Sequence, residues 1–210
     1  MTDQTWADNE RESDMTPMII GLLIFFVIHA VPMQRELRDG LAERFGENTY
    51  KAAFSVIALV GLVLIIVGYG KMQVMAGKNP QIWLPPSWTS HITILLMIPA
   101  MILLVAAYVP SNIKRIAKHP MLVAIKLWAV AHLLSNGDLA SMVLFGSFLA
   151  YAVVDRISVK RRGPAHGVSA GGGVTGDVIA VAVGLVLYVL IVFYLHEWLI
   201  GVAPMPGMAA

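Results

Sequence analysis

The chain has 210 residues, 58% of them hydrophobic and 13% charged, with a formal net charge of +2. Soluble domains carry about 25% charged residues, so this composition argues against a soluble globular protein and for one embedded in a lipid bilayer. So small a net charge gives no ground for a nucleic-acid partner. The absence of cysteine removes disulfides, thiolate metal ligands, iron–sulfur clusters and covalent c-type haem attachment.

The opening stretch "MTDQTWADNERESDMTP" holds five acidic residues and one Arg. It lacks the basic start of a cleavable signal peptide, and residues 1–16 read as a disordered acidic tail. Six apolar segments follow, at about 17–35, 52–72, 91–109, 120–136, 139–155 and 178–200. A bilayer-spanning helix needs about 20 largely apolar residues to cross about 30 Å of hydrocarbon. The fourth and fifth segments are short. Between them "SNGD" offers Gly137 as a helix C-cap and Asp138 as the next N-cap, which predicts a tight antiparallel hairpin. The glycine-rich "SAGGGVTGD" at 169–177 reads as a flexible loop, and residues 202–210 as a short tail. The fold class expected is all-α, a polytopic bundle of six transmembrane helices over residues 17–201.

Lys and Arg set the direction, because cytoplasmic loops carry the positive excess. The first, third and fifth loops hold eleven: Arg35, Arg38, Arg44 and Lys51, then Lys114, Arg115 and Lys118, then Arg156, Lys160, Arg161 and Arg162. The opposite side holds three, Arg11, Lys71 and Lys78. Six spans with both termini on the outer side, periplasmic if this is a bacterial inner membrane, satisfy this count.

Ionisable groups inside a membrane are costly and point to function. No carboxylate lies deep in an expected span, which weakens a carboxylate-coupled transporter and a carboxylate-bridged di-iron site. Lys126 is six residues into the fourth span, close enough to the cytoplasmic edge to snorkel. His132, twelve residues beyond Pro120, lies about 18 Å along the helix on a stem too short to reach either surface. His29 is placed similarly in the first span, twelve residues beyond Pro17. Two readings of each histidine are open at this point. One is a neutral imidazole bonded to a backbone carbonyl, for which Pro32 frees that of Ile28. The other is a cofactor ligand, and two imidazoles without carboxylate or thiolate fit a bis-histidine haem b better than zinc. Trp128, one turn before His132, shares its face and either stacks on a cofactor or packs in the bundle. His91, His119, His166 and His196 read as solvated surface histidines.

"FFVIHAVP", "LAERFGENTYKAAFSVIALVGLVLIIVGYG" and "HPMLVAIKLWAVAHLLSNGD" together resemble the NnrU family of integral membrane proteins, in family order and over residues 18–200. The resemblance implies a membrane component of nitrite and nitric oxide metabolism in denitrifying bacteria. It also implies kinship to zeta-carotene isomerase, a haem b enzyme that converts a cis double bond of a polyene to trans. By motif position the two haem-ligating histidines of that enzyme correspond to His29 and His132. Ligands expected on this basis are nitric oxide or a lipidic polyene, and Arg35, Arg38 and Lys126 become candidates to meet haem propionates. The contrasting expectation is a haem-free accessory component of nitrite or nitric oxide reductase systems.

Overall fold

The computed structural model describes residues 3–75, 77–161 and 173–204, and of residues 3–14 the backbone only. In chain order the helices are α1 (Asp3–Ala30), α2 (Arg35–Phe45), α3 (Glu47–Val74), α4 (Thr89–Ala106), α5 (Asn112–Ala117), α6 (Pro120–Ser135), α7 (Leu139–Arg161), α8 (Gly173–Leu190) and α9 (His196–Ile200). A 3₁₀ turn at Val31–Met33 follows α1, and a π-helical turn at Ile191–Leu195 joins α8 to α9. Among the described residues there is no β-strand, only an isolated bridge between Gln81 and Asp138.

Five helical segments are long and apolar enough to cross a membrane: Met15–Met33, Glu47–Val74, Thr89–Ala106, Leu139–Arg161 and Gly173–Ile200. The sixth apolar helix, α6, has 16 residues, about 24 Å at the helical rise. The structure therefore carries the all-helical, multi-pass part of the expectation. Three boundaries differ from it. The helix expected to start near Pro17 begins at Asp3 and encloses that proline. The first loop contains α2, whose Arg38 pairs with Asp39 at 2.9 Å and with Glu47. Gly46, at φ +86°, makes the turn into α3. The glycine-rich stretch lies partly outside the described residues, and its final part, 173–177, opens α8.

The chain divides into two compact units, Met1–Pro80 and Gln81–Ala210. In the first, α1 and α3 pack as an antiparallel pair at backbone contact. A Cβ on Gly21 would fall 2.7 Å from the carbonyl oxygen of Gly61, one on Gly61 2.9 Å from the Phe25 nitrogen, and one on Gly68 2.3 Å from the Met18 nitrogen. Small residues at the seam are how membrane helices approach closely, since lipid tails offer no hydrophobic drive for association. Tyr69 is buried on α3.

In the second unit α4 packs against α6 and α8, and α6 against α7. A Cβ on Gly184 would meet Ile102 Cα at 2.7 Å, so α8 also depends on a missing side chain to reach α4. At one end Asp177 accepts from Asn112 Nδ2 at 2.8 Å and from the Ile113 backbone N–H at 2.9 Å, tying α5 to the start of α8. At the other end the expected hairpin of α6 and α7 forms with one change. Asn136, not Gly137, caps α6 through a backbone N–H to the His132 carbonyl. Gly137 serves close approach instead: its carbonyl accepts from Ile82 and Trp83 at 2.7 and 3.2 Å, and a Cβ there would lie 1.8 Å from the Trp83 carbonyl oxygen. Asp138 caps α7 as expected, accepting from the Ser141 N–H at 2.9 Å and hydroxyl at 2.6 Å.

Gly68→Ala should destabilise the protein by about 1–3 kcal/mol through overpacking. Gly70→Ala, whose Cβ meets nothing within 4 Å, should instead be neutral or stabilising by up to about 1 kcal/mol, the ordinary helical gain. Thermal unfolding midpoints in mild detergent separate the two; equal shifts would contradict a contact seam at Gly68. By the same assay Asp138→Ala should cost about 0.5–2 kcal/mol and Asp138→Asn far less, since asparagine also caps.

Candidate functional site: a histidine-lined cavity

His132 lies in the last turn of α6, so the count of residues from Pro120 conceals how near it stands to the helix end. Its imidazole is enclosed by aromatic rings. Phe145 of α7 stacks on it at 4.5 Å and 27°, Trp128 lies 5.4 Å away, and Phe148 and Phe145 both pack edge-on against Trp128. Trp128 thus packs in the bundle and borders the histidine at once. The His132 ring folds back along its own helix and its Nδ1 lies 2.8 Å from the Trp128 carbonyl oxygen. A carbonyl only accepts, so Nδ1 carries the proton and Nε2 keeps its lone pair. This is the support that metal-ligating histidines ordinarily receive.

His132 borders a cavity of about 420 Å³ within the second unit, in the size range of ligand and cofactor sites. Met97, Met101, Ile191 and Val192 supply apolar wall, while Ser90, Ser135, Tyr188 and His196 supply polar groups. Thr93 and Asn136 also line it with their polar atoms engaged: Thr93 Oγ1 bonds the Ala131 carbonyl at 2.7 Å and the Ser135 hydroxyl, and Asn136 Nδ2 donates to the His132 carbonyl at 2.9 Å. These bonds hold α4 against the last turn of α6 and fix the position of His132.

His196, expected at a solvated helix end, instead borders the same cavity as His132. Their ring centres are 6.3 Å apart and their planes 18° from parallel. The signals that lead to it are conformational. The π-helical turn just before it adds an extra residue to the helix register, and such turns occur often at functional sites. Gly201, left-handed at φ +76°, ends α9 and turns the chain back so that Val202, Ala203 and Pro204 line the cavity. The Val202 carbonyl then accepts from His196 Nδ1 at 2.7 Å. A glycine after "HEWLI" is a readable helix stop, but the return of residues expected as tail is not. Residues 205–210 lie outside the described range.

His29 belongs to the first unit, in the last turn of α1. It repeats the His132 pattern, with Nδ1 2.7 Å from the carbonyl of Phe25, four residues back, and Phe25 stacked on its ring at 4.0 Å. Phe54 of α3 meets it edge-on at 5.1 Å. The carbonyl used is that of Phe25 rather than of Ile28. Of the cationic candidates, Arg35 is exposed, Arg38 is engaged by Asp39 and Glu47 and lies over the Tyr50 ring, and Lys126 is half-buried on α6. Among the described residues Lys126 makes no hydrogen bond or ion pair. His91 is exposed and His119 occupies the N-cap position of α6. His166 lies outside the described residues.

Among the described residues no group of three or more His, Cys, Asp or Glu is placed to hold a metal ion. The donor sets are single or paired imidazoles. An ordinary zinc centre takes three or four protein ligands, and haem iron takes one or two because the porphyrin fills its other positions. No curated protein and no solved structure matches the sequence. A known family does: residues 17–204, which contain His29, His132, His196 and every described residue lining the cavity, match the NnrU protein family, and the chain belongs to it.

Proposed function

We propose that this NnrU-family chain is a multi-pass protein of the bacterial inner membrane that binds haem b, with His132 as an axial ligand. The observation that carries the reading is the Nδ1-anchored imidazole of His132 beside a cavity of about 420 Å³. His29, which the family resemblance assigns as the second ligand, is anchored in the same way. Bound haem would supply a redox-active iron that takes nitric oxide or acts on a polyene double bond. The chain's own part is to hold the imidazole through the Trp128 carbonyl, to keep water from it with Trp128, Phe145 and Phe148, and to border the ligand space with Met97 and Met101. Lys126, whose side chain has no partner among the described residues, is this unit's candidate cation for a propionate. The role follows the family: nitrite and nitric oxide metabolism, or cis–trans isomerisation of a lipidic polyene.

In the membrane arrangement that accompanies this reading, α6 is the fourth of six spans and Gly173–Ile200 the last, with both termini outside. Short α6 fits because its ends are covered by protein, which lets non-helical backbone sit at membrane depth.

Protein purified in mild detergent from haem-supplemented cells should show oxidised and reduced b-type spectra. His132→Ala should lower haem per protein at least about tenfold, the scale on which even supporting partners of metal ligands act. Folded wild type without haem would defeat the reading and favour the haem-free accessory component. Orientation is testable because the chain has no cysteine. In intact cells Leu84→Cys, at a position 81% exposed, should react with a membrane-impermeant maleimide, and Ile116→Cys, at a position 76% exposed, only after lysis. The reverse pattern would invert the topology.

A further inference from the structure

One end of the second unit gathers cations that no acid neutralises. α6 and α7 run antiparallel from their connection at 136–138 and pack along each other. Pro120 lies fifteen residues before Ser135 and Val154 fifteen after Leu139, so the two are level and the rest of α7 projects past the start of α6. Arg156, Lys160 and Arg161 belong to that projecting part. Lys118 stands two residues ahead of Pro120, at the same end, where α5 packs against α4, α6 and α8. Among the described residues the side chains of these four make no ion pair or hydrogen bond. Asp177 is occupied by Asn112 and the Ile113 N–H, with Arg115 close by, and half-buried Asp155 pairs with none of the four. The first unit, by contrast, pairs Arg38 with Asp39 and Glu47, and Lys51 with Glu47.

Apolar side chains lead up to these cations. On α7 Val153, Ile157 and Arg161 are spaced four apart and share one face, and all three are exposed. Exposed Lys160 lies beside them. Near α5, Ile116 and Tyr108 are also exposed, Ile116 two residues before Lys118. A positive-inside bias accounts for basic residues on one side of a membrane. It does not account for their lack of acids or for the apolar face that runs into them. Acyl chains cover such a face, and the phosphate of the same lipid then meets the cations one turn further on, about 6 Å from Ile157 to Arg161. A soluble acidic protein would neutralise the charges and leave Val153 and Ile157 uncovered. Basic sites at the ends of membrane helices take anionic lipid heads in this way.

We infer that the end of the second unit formed by Lys118, Arg156, Lys160 and Arg161 binds the head of an anionic phospholipid, whose acyl chains lie along the exposed face of α7. The inference uses membrane embedding alone and stands whether or not the chain binds haem. The test takes the full chain, delipidated in mild detergent, and reads its thermal unfolding midpoint with added dioleoyl phosphatidylglycerol or dioleoyl phosphatidylcholine. The anionic lipid should raise the wild-type midpoint at least about 4 °C more than the neutral one. In the double variant Lys160→Gln, Arg161→Gln that excess should fall by about half or more, since each cation near an anionic surface contributes a similar share. Lys118 is the one non-glycine residue with positive φ among the described residues, at +60°. Lys118→Gly relieves that backbone and should keep or raise the midpoint in detergent alone while lowering the lipid excess, which separates lost charge from lost fold. Equal effects of the two lipids on wild type, or an excess unchanged in the double variant, overturns the inference. Inorganic phosphate alone reproducing the excess would mark a site for free anions, and soluble polyglutamate reproducing it would mark an acidic protein partner; either result also overturns it.

Discussion

An imidazole in an apolar bundle can be held in one tautomer only if one ring nitrogen is committed to a fixed partner. Here the partner is a main-chain carbonyl each time: Phe25 for His29, Trp128 for His132 and Val202 for His196. The first two are the carbonyls one helical turn back, so the side chain shares an acceptor with the helix itself, in the manner of serine and threonine back-bonding. That bond does not depend on a distant residue. It defines which nitrogen is the donor and which the base, and the aromatic neighbours then fix the plane of the ring. In the neutral ring that leaves Nε2 as the nitrogen with the free lone pair.

Holding such a site rigid in lipid calls for close helix contact without large apolar side chains to drive it. The first unit achieves this through Gly21, Gly61 and Gly68, and the second through Gly184 against Ile102. Polar bonds supplement the second unit where the cavity interrupts packing: Thr93 to the Ala131 carbonyl, Asn136 to the His132 carbonyl and Asp138 to Ser141. In a low-dielectric surrounding each leaves no unsatisfied buried group behind, which makes these bonds more valuable there than at a wet surface.

Composition and apolar run length made the helices legible, because a stretch long and apolar enough to span lipid has few alternatives. The Asp138 cap was legible for a similar reason, since short-range cap chemistry is written in adjacent residues. His29 and His132 stood out as ionisable groups within apolar runs, and the resemblance singled out the same two. What escaped depends on backbone register and on contact between segments distant in sequence. Nothing in "LIVFYLHEW" announces a π-helical turn, and hydropathy alone places His196 at a wet helix end. Gly137 reads as a cap because glycine commonly is one; that it instead admits Trp83 requires knowing where residues 81–83 run. Counting from Pro17 and Pro120 gave equal depths to His29 and His132, yet both lie in last turns, where position is set by what covers the helix end.

The short length of α6 accounts for the cavity. At about 24 Å it packs between the longer α4 and α7, and α4 in turn carries the Gly173–Ile200 segment. Beyond Ser135, α4 and the Gly173–Ile200 segment border a space that α6 does not fill. Two returning segments occupy part of it: Ile82 and Trp83, bonded to the Gly137 carbonyl, and Val202 to Pro204, turned back by Gly201. What they leave is bordered by the last turn of α6, which carries His132, and by the π-interrupted end of the last helix, which carries His196. A full-length α6 would fill the space with its own backbone and separate the two imidazoles. The recess and the histidine pair thus have one structural cause, the stop at Ser135.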